Sequence, residues 1–152
     1  MTNHPDLVEA LRVLPDRVAE AASGMSDEEL RRRPAEGEWC VKEVCGHLRD
    51  NAEIWVGRFH MMTTQTDPLL ADHDPASVHE HNYPEQPIED ILSDLRRQVD
   101  ESVSLLSDLA RDHWKRTGRH ATQGRLTVRE GLELMLRHAE GHLEQIRALR
   151  PR

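Results

Sequence analysis

Four runs of apolar residues at helical spacing narrow the fold classes open to this chain more than any other feature. Leu7, Leu11, Leu14, Val18, Ala21 and Met25 step by four and three, which keeps them on one face of an α-helix. Val41, Val44, Leu48, Asn51, Trp55, Phe59 and Met62 repeat the rhythm, which fades by Thr66. A third stripe runs through Ile88, Ile91, Leu92, Leu95, Val99, Ser102, Leu106 and Leu109. The fourth is Val128, Leu132, Met135, Ala139, His142, Ile146 and Leu149. Apolar residues follow helical periods throughout, rather than the alternation of a strand. Each amphipathic helix needs a partner for its apolar face, and the spacing predicts an all-α four-helix bundle.

The residues between the stripes mark where helices begin and end. Pro15 lies inside the first stripe, where a missing donor predicts a kink rather than a break. Gly24 closes that helix, and Ser26 with Glu29 forms a capping box for a short turn ending before Pro34. Cys40 takes the cap position of the second long helix, with Glu43 reaching back and Trp39 placed to staple onto Val44. Residues 67–86 show no period and hold three prolines, a loop long enough to let the third helix run parallel to the second. Pro87 suits the first position of the third helix, and Thr127 with Glu130 caps the fourth. Residues 113–124 are expected to form a shorter polar loop. No repeat or linker divides the sequence, so a single domain spanning residues 1–152 is expected.

Composition removes several classes of function. With 20 Lys and Arg against 28 Asp and Glu, the net charge is −8 and no basic patch is visible, which argues against nucleic acid as a partner. No apolar run approaches the ~20 residues that span a bilayer, so no membrane partner is expected. No signal peptide is read at the N-terminus. Cys40 and Cys45 match neither a redox pair nor a zinc knuckle, and a reducing cytoplasm is the expected compartment.

The ten histidines carry the chemistry. His142 fills a register position that its neighbours give to apolar residues. His138 lies one turn earlier, and four residues at ~100° each place the two rings ~40° apart on one face. Such a pair can clip a metal, although two histidines at this spacing are commonly only solvated. His47 borders the core-facing seam of the second long helix, and bundles build metal sites from inward side chains on facing helices. Together His47, His138 and His142 would offer three imidazoles and leave coordination positions open, the pattern of catalytic rather than structural zinc. The alternative is a buried hydrogen-bonded network, which must satisfy every member.

Residues 37–50, Gly-Glu-Trp-Cys-Val-Lys-Glu-Val-Cys-Gly-His-Leu-Arg-Asp, resemble the second-helix signature of the DinB-like superfamily. The run His138-Ala139-Glu140-Gly141-His142-Leu143-Glu144-Gln145-Ile146 resembles that family's fourth-helix HxxxH signature. Leu30 to Pro34 and Thr127 to Leu132 also resemble the family pattern, so the likeness spans nearly the whole chain. Cys40 stands where the family usually has Ser or Thr, a departure at a helix cap that spares the histidines. The resemblance implies an up-down-down-up bundle, a divalent metal on the three histidines, and frequent homodimers. It also implies that some members are thiol-dependent enzymes, transferring bacillithiol or related thiols to electrophiles or using mycothiol to isomerise maleylpyruvate.

A divalent ion on three neutral imidazoles would ease deprotonation of a bound water or thiol. Imidazole ligation suits Zn, Ni, Cu or Fe, with Mn also open, and a thiolate cosubstrate places Zn or Ni first. Asn51, one turn beyond His47, is the candidate for orienting a ligand or a small-molecule substrate. Glu43 is read as a cap, Glu140 and Glu144 as solvated, Cys45 as pointing elsewhere, and His60 as structural. Trp39 and Trp55 are read as core or interface anchors, Arg31 to Arg33 as a solvated charge run. His73, His79 and His81 are expected to be exposed on the long loop, with a flap over the site as the alternative. The leading function is a metal-dependent thiol S-transferase, against metal-assisted hydrolysis or a non-enzymatic metal-binding stress protein.

Overall fold

The computed structural model describes residues 3–152. Helix α1 spans His4–Ala22, α2 Asp27–Arg31, α3 Val41–Thr64, α4 Ile88–Ser107 and α5 Val128–Leu149. The four long helices form the bundle expected from the stripes. Both α1 and α3 pack on α4 and α5, so α1 sits diagonally across from α3. The apolar stripes of all four meet in one cluster whose centre includes Leu11, Val18, Phe59, Ile91, Leu132 and Ile146.

Local chemistry fixes the helix ends much as the sequence suggests. Helix α1 runs through Pro15 as one element, and Gly24, at φ +75°, turns the chain after it. The Ser26–Glu29 and Thr127–Glu130 boxes both form, each with reciprocal hydrogen bonds of 3.0 and 3.1 Å. At the start of α3 the Glu43 carboxylate accepts from the Cys40 N–H at 3.1 Å. Pro87 takes the cap of α4 rather than its first turn.

Two segments differ from the expectation of plain loops. Residues 111–127 contain a 3₁₀ turn, Arg111–Lys115, and an antiparallel hairpin of β1 (Thr117–His120) and β2 (Gly124–Thr127). The strands carry almost no apolar alternation, since their pairs are Thr117–Thr127, Gly118–Leu126, Arg119–Arg125 and His120–Gly124. Residues 67–86 also hold structure: Leu69 bridges to Arg119, and 3₁₀ turns cover Pro75–His81 and Tyr83–Glu85. This stretch wraps the N-terminal half of α3.

That wrapping explains why α3 is buried all round from Val41 to Leu48. A single apolar stripe would suffice for a helix covered on one side; here the other faces meet α2 and the 3₁₀ turns. The charged residues so enclosed each find a partner. Lys42 Nζ reaches Asp27 at 2.6 Å and donates to the Pro84 carbonyl at 3.2 Å. Glu43 takes a two-pronged bond from Arg33 at 3.0 and 2.9 Å, so this arginine is a clamp on α3 rather than part of a solvated run. Asp50 accepts from the Tyr83 hydroxyl and from Arg49. Both cysteines are free and buried, and burial pushes the Cys45 thiol up to about 12, which keeps it unreactive. Among the described residues no helix is long and apolar enough to cross a membrane.

Candidate metal centre

His47 projects from α3, and His138 and His142 from successive turns of α5, at the seam where those two helices pack. The three rings meet. His47 Nε2 lies 3.4 Å from His138 Nε2, which lies 3.2 Å from His142 Nε2. One ligand nitrogen from each ring falls within 4.8 Å of the other two. For comparison, a tetrahedral shell with metal–nitrogen distances of ~2.05 Å has edges of ~3.3 Å.

Hydrogen bonding alone does not account for this cluster. Gln145 Oε1 lies 2.8 Å from His142 Nδ1, and an amide oxygen can only accept, so Nδ1 carries the proton. His142 Nε2 therefore turns a lone pair toward its neighbours. His138 Nε2 can donate to one ring but not to both. The buried Nδ1 atoms of His47 and His138 have no partner at all. Adding protons is no remedy: burial first, then the neighbouring imidazoles, push His47 down to about 3 and His138 down to about 4. Neutral rings with convergent lone pairs suit a divalent cation, and the residues present fit one.

An aromatic ring and a cavity both adjoin the cluster. Trp39, expected to staple α3, is half-buried and lies against the histidines, its ring 4.9 Å from His47 and 6.2 Å from His142. A cavity of about 280 Å³ reaches His47 and His138 and is walled by Asn51, Trp55, Arg58, His73 and His120, without Trp39. Asn51 lines this cavity together with His47 and His138.

His73 departs from the exposed position expected of it. Its ring stacks on His47 with centroids 5.4 Å apart, and its Nε2 is buried without a partner. The chain arrives there because Pro68 and Leu70 are tied to β1 through Arg119. His79 and His81 do remain largely exposed, 3.4 Å from Glu43 and 3.7 Å from Asp50. His60 is exposed rather than structural. Glu140 pairs with Arg17 at 2.9 Å, half in solvent, and Glu144 is exposed.

Two further wall residues escape the sequence reading. His120 is placed by the hairpin turn, where its Nδ1 accepts from the N–H groups of Thr122 and Gln123 at 3.2 Å. Arg58 carries a signal that could have been used. It is eleven residues past His47, which at ~100° per residue returns it to within ~20° of the same helical face.

The model of the DinB superfamily matches residues 10–146. The chain belongs to that superfamily. Among curated relatives, "Putative metal-dependent hydrolase OB0782" of Oceanobacillus iheyensis is 26% identical over 139 residues, covering 90% of this chain and 79% of its own. Among solved structures, YfiT from Bacillus subtilis, described as "a probable metal-dependent hydrolase with an unusual four-helix bundle topology", superposes with a TM-score of 0.87 at 24% identity. That match covers 96% of this chain and 85% of YfiT. A mycothiol-dependent maleylpyruvate isomerase gives a TM-score of 0.77 at 14% identity, covering 95% of this chain but 61% of the isomerase. Both superpositions speak to the DinB fold.

Proposed function

We propose that this DinB protein is a divalent-metal-dependent enzyme, its ion held by His47, His138 and His142, acting on a small molecule bound in the adjoining cavity. The convergence of three ring nitrogens beside that cavity carries the reading. A bound divalent ion would bring the pKa of a coordinated thiol or water toward neutrality. The chain's own residues do the rest. Gln145 fixes the His142 ring, Trp39 shields the cluster from water on one side, and the Asn51 amide offers a donor and an acceptor to orient a substrate.

The finer reading is a low-molecular-weight-thiol S-transferase using bacillithiol or mycothiol, with Zn or Ni as the ion. It draws on the signature resemblance and on the likeness to a mycothiol-dependent fold. Metal-assisted hydrolysis is the second reading, and one observation favours it: His73 sets a fourth imidazole against the three of the cluster, a group able to hold a proton for a leaving group. The homodimer belongs to the same proposal, and sedimentation velocity tests it.

Zinc- or nickel-loaded protein assayed with each thiol and monochlorobimane, and without thiol against p-nitrophenyl acetate, separates the readings. Metal-dependent conjugation supports transfer. Metal-dependent ester cleavage that is lost in His73→Ala supports hydrolysis. Neither reaction, with chelation merely lowering the melting temperature, would return the protein to the non-enzymatic metal-binding class.

A further inference from the structure

The cavity beside the histidines has a second, cationic pole. Arg58 lines it together with His47 and is only 4% exposed. A guanidinium so enclosed needs a counter-charge, yet no carboxylate lies within 4.0 Å of it among the described residues. Desolvation accordingly holds its pKa below the ordinary arginine value, and Asp72 offsets only part of that.

The guanidinium is also held in place. Nε and Nη2 both donate to the Ala71 carbonyl, at 3.1 and 2.8 Å, which occupies the side edge of the fork. Cζ lies over the Trp55 ring, 4.6 Å from its centroid. The Nη1 hydrogens and the second Nη2 hydrogen have no acceptor among the described residues, and together they make the end-on edge that pairs with both oxygens of a carboxylate. The carboxylate on the cavity wall, Asp72, is itself exposed and accepts from the His73 N–H at 2.9 Å.

Building on the enzyme reading above, we propose that the substrate reacting at the histidine cluster carries a carboxylate, which seats on the end-on edge of the Arg58 guanidinium. That edge meets both oxygens of a carboxylate at once, and about 280 Å³ holds a small acid with room toward the histidines.

Metal-free protein at pH 7.5, titrated with benzoate and with benzamide and followed by two-dimensional NMR, isolates this contact from any direct ligation of an ion. The two probes share a shape and differ in charge. Benzoate is expected to bind roughly tenfold or more tightly, as a charge-assisted bidentate pair implies. Arg58→Gln should erase the preference, and Arg58→Lys should keep part of it. Because Arg58 is buried, Asp72→Asn provides an independent arm: removing the competing carboxylate from an exposed position should tighten benzoate several-fold and leave benzamide unchanged. Equal binding of the two probes, indifference to both Arg58→Gln and Asp72→Asn, or displacement of benzoate by inorganic phosphate at lower concentration would each overturn the assignment. The outcome stands apart from the metal reading: a benzoate preference in protein that fails to bind zinc supports the Arg58 site, and no preference in protein that binds zinc tightly overturns it.

Discussion

Gln145 shows how a residue outside the three imidazoles governs them. By accepting from His142 Nδ1 it selects the tautomer whose Nε2 faces the other rings. Replacing Gln145 with Ala should weaken zinc affinity by about 10- to 100-fold, the usual cost of losing such a partner, as read by competition with a chelating dye; an unchanged affinity would mean that the ring is held by packing alone. The same rings set an acid limit on the metal-free protein. His47 and His138 titrate at about 3 and about 4 in the fold against an ordinary 6.5, so between those values the unfolded chain binds more protons. Their effect on stability is therefore absent above pH 6.5 and grows more unfavourable as pH falls below it. The melting temperature of chelated wild type should drop relative to a His47→Asn/His138→Asn variant between pH 6.5 and 4.5; parallel curves would contradict this. At this scale the sequence was informative where helical register did the work. His142 stood out because it broke an apolar stripe, and His138 followed from it. His73 and His120 could not be placed the same way, since contacts between a loop and a hairpin far apart in the chain bring them to the cavity.

Among the elements, α3 bears the most constraint, because it supplies one ring of the cluster, Asn51 and Arg58 while its first two turns, Val41 to Leu48, are buried on every side. Gly46 shows how tight the cover is: a Cβ there would meet the Tyr83 ring at 2.1 Å. A glycine in a helix interior ordinarily costs about 1 kcal/mol relative to alanine. Gly46→Ala should nevertheless destabilise by about 2 kcal/mol or more, because overpacking forces the loop carrying Tyr83 away from α3. Gly57, on the same helix with nothing within 4 Å, is the matched control, and Gly57→Ala should stabilise by up to about 1 kcal/mol. Urea denaturation of the pair checks both signs; the same sign for both variants would show that the Tyr83 contact does not restrain α3. The four long helices and three of their starts were readable because stripes and caps are local signals. The hairpin was not, since Leu126 is the one apolar side chain in its two strands and no alternation exists to find. Residues 67–86 read as structureless for a related reason: they fold as 3₁₀ turns whose support comes from α3, with Val78 and Tyr83 buried against it.

For the molecule as a whole, the bundle positions chemistry by adjacency. Helices α3 and α5 are neighbours, and a cluster assembled from His47 and His138, 91 residues apart in sequence, exists only when the bundle has closed. An ion shared between them would tie folding to metal binding. Tag-free protein purified without added metal and measured for metal content, beside His47→Ala, His138→Ala and His142→Ala, addresses that directly. About one divalent ion per chain in the wild type, lost from each variant on dialysis against a mild chelator, is the expected result. Equal metal content in the wild type and in His47→Ala would contradict the shared site, for the ion would then belong to α5 alone or lie elsewhere.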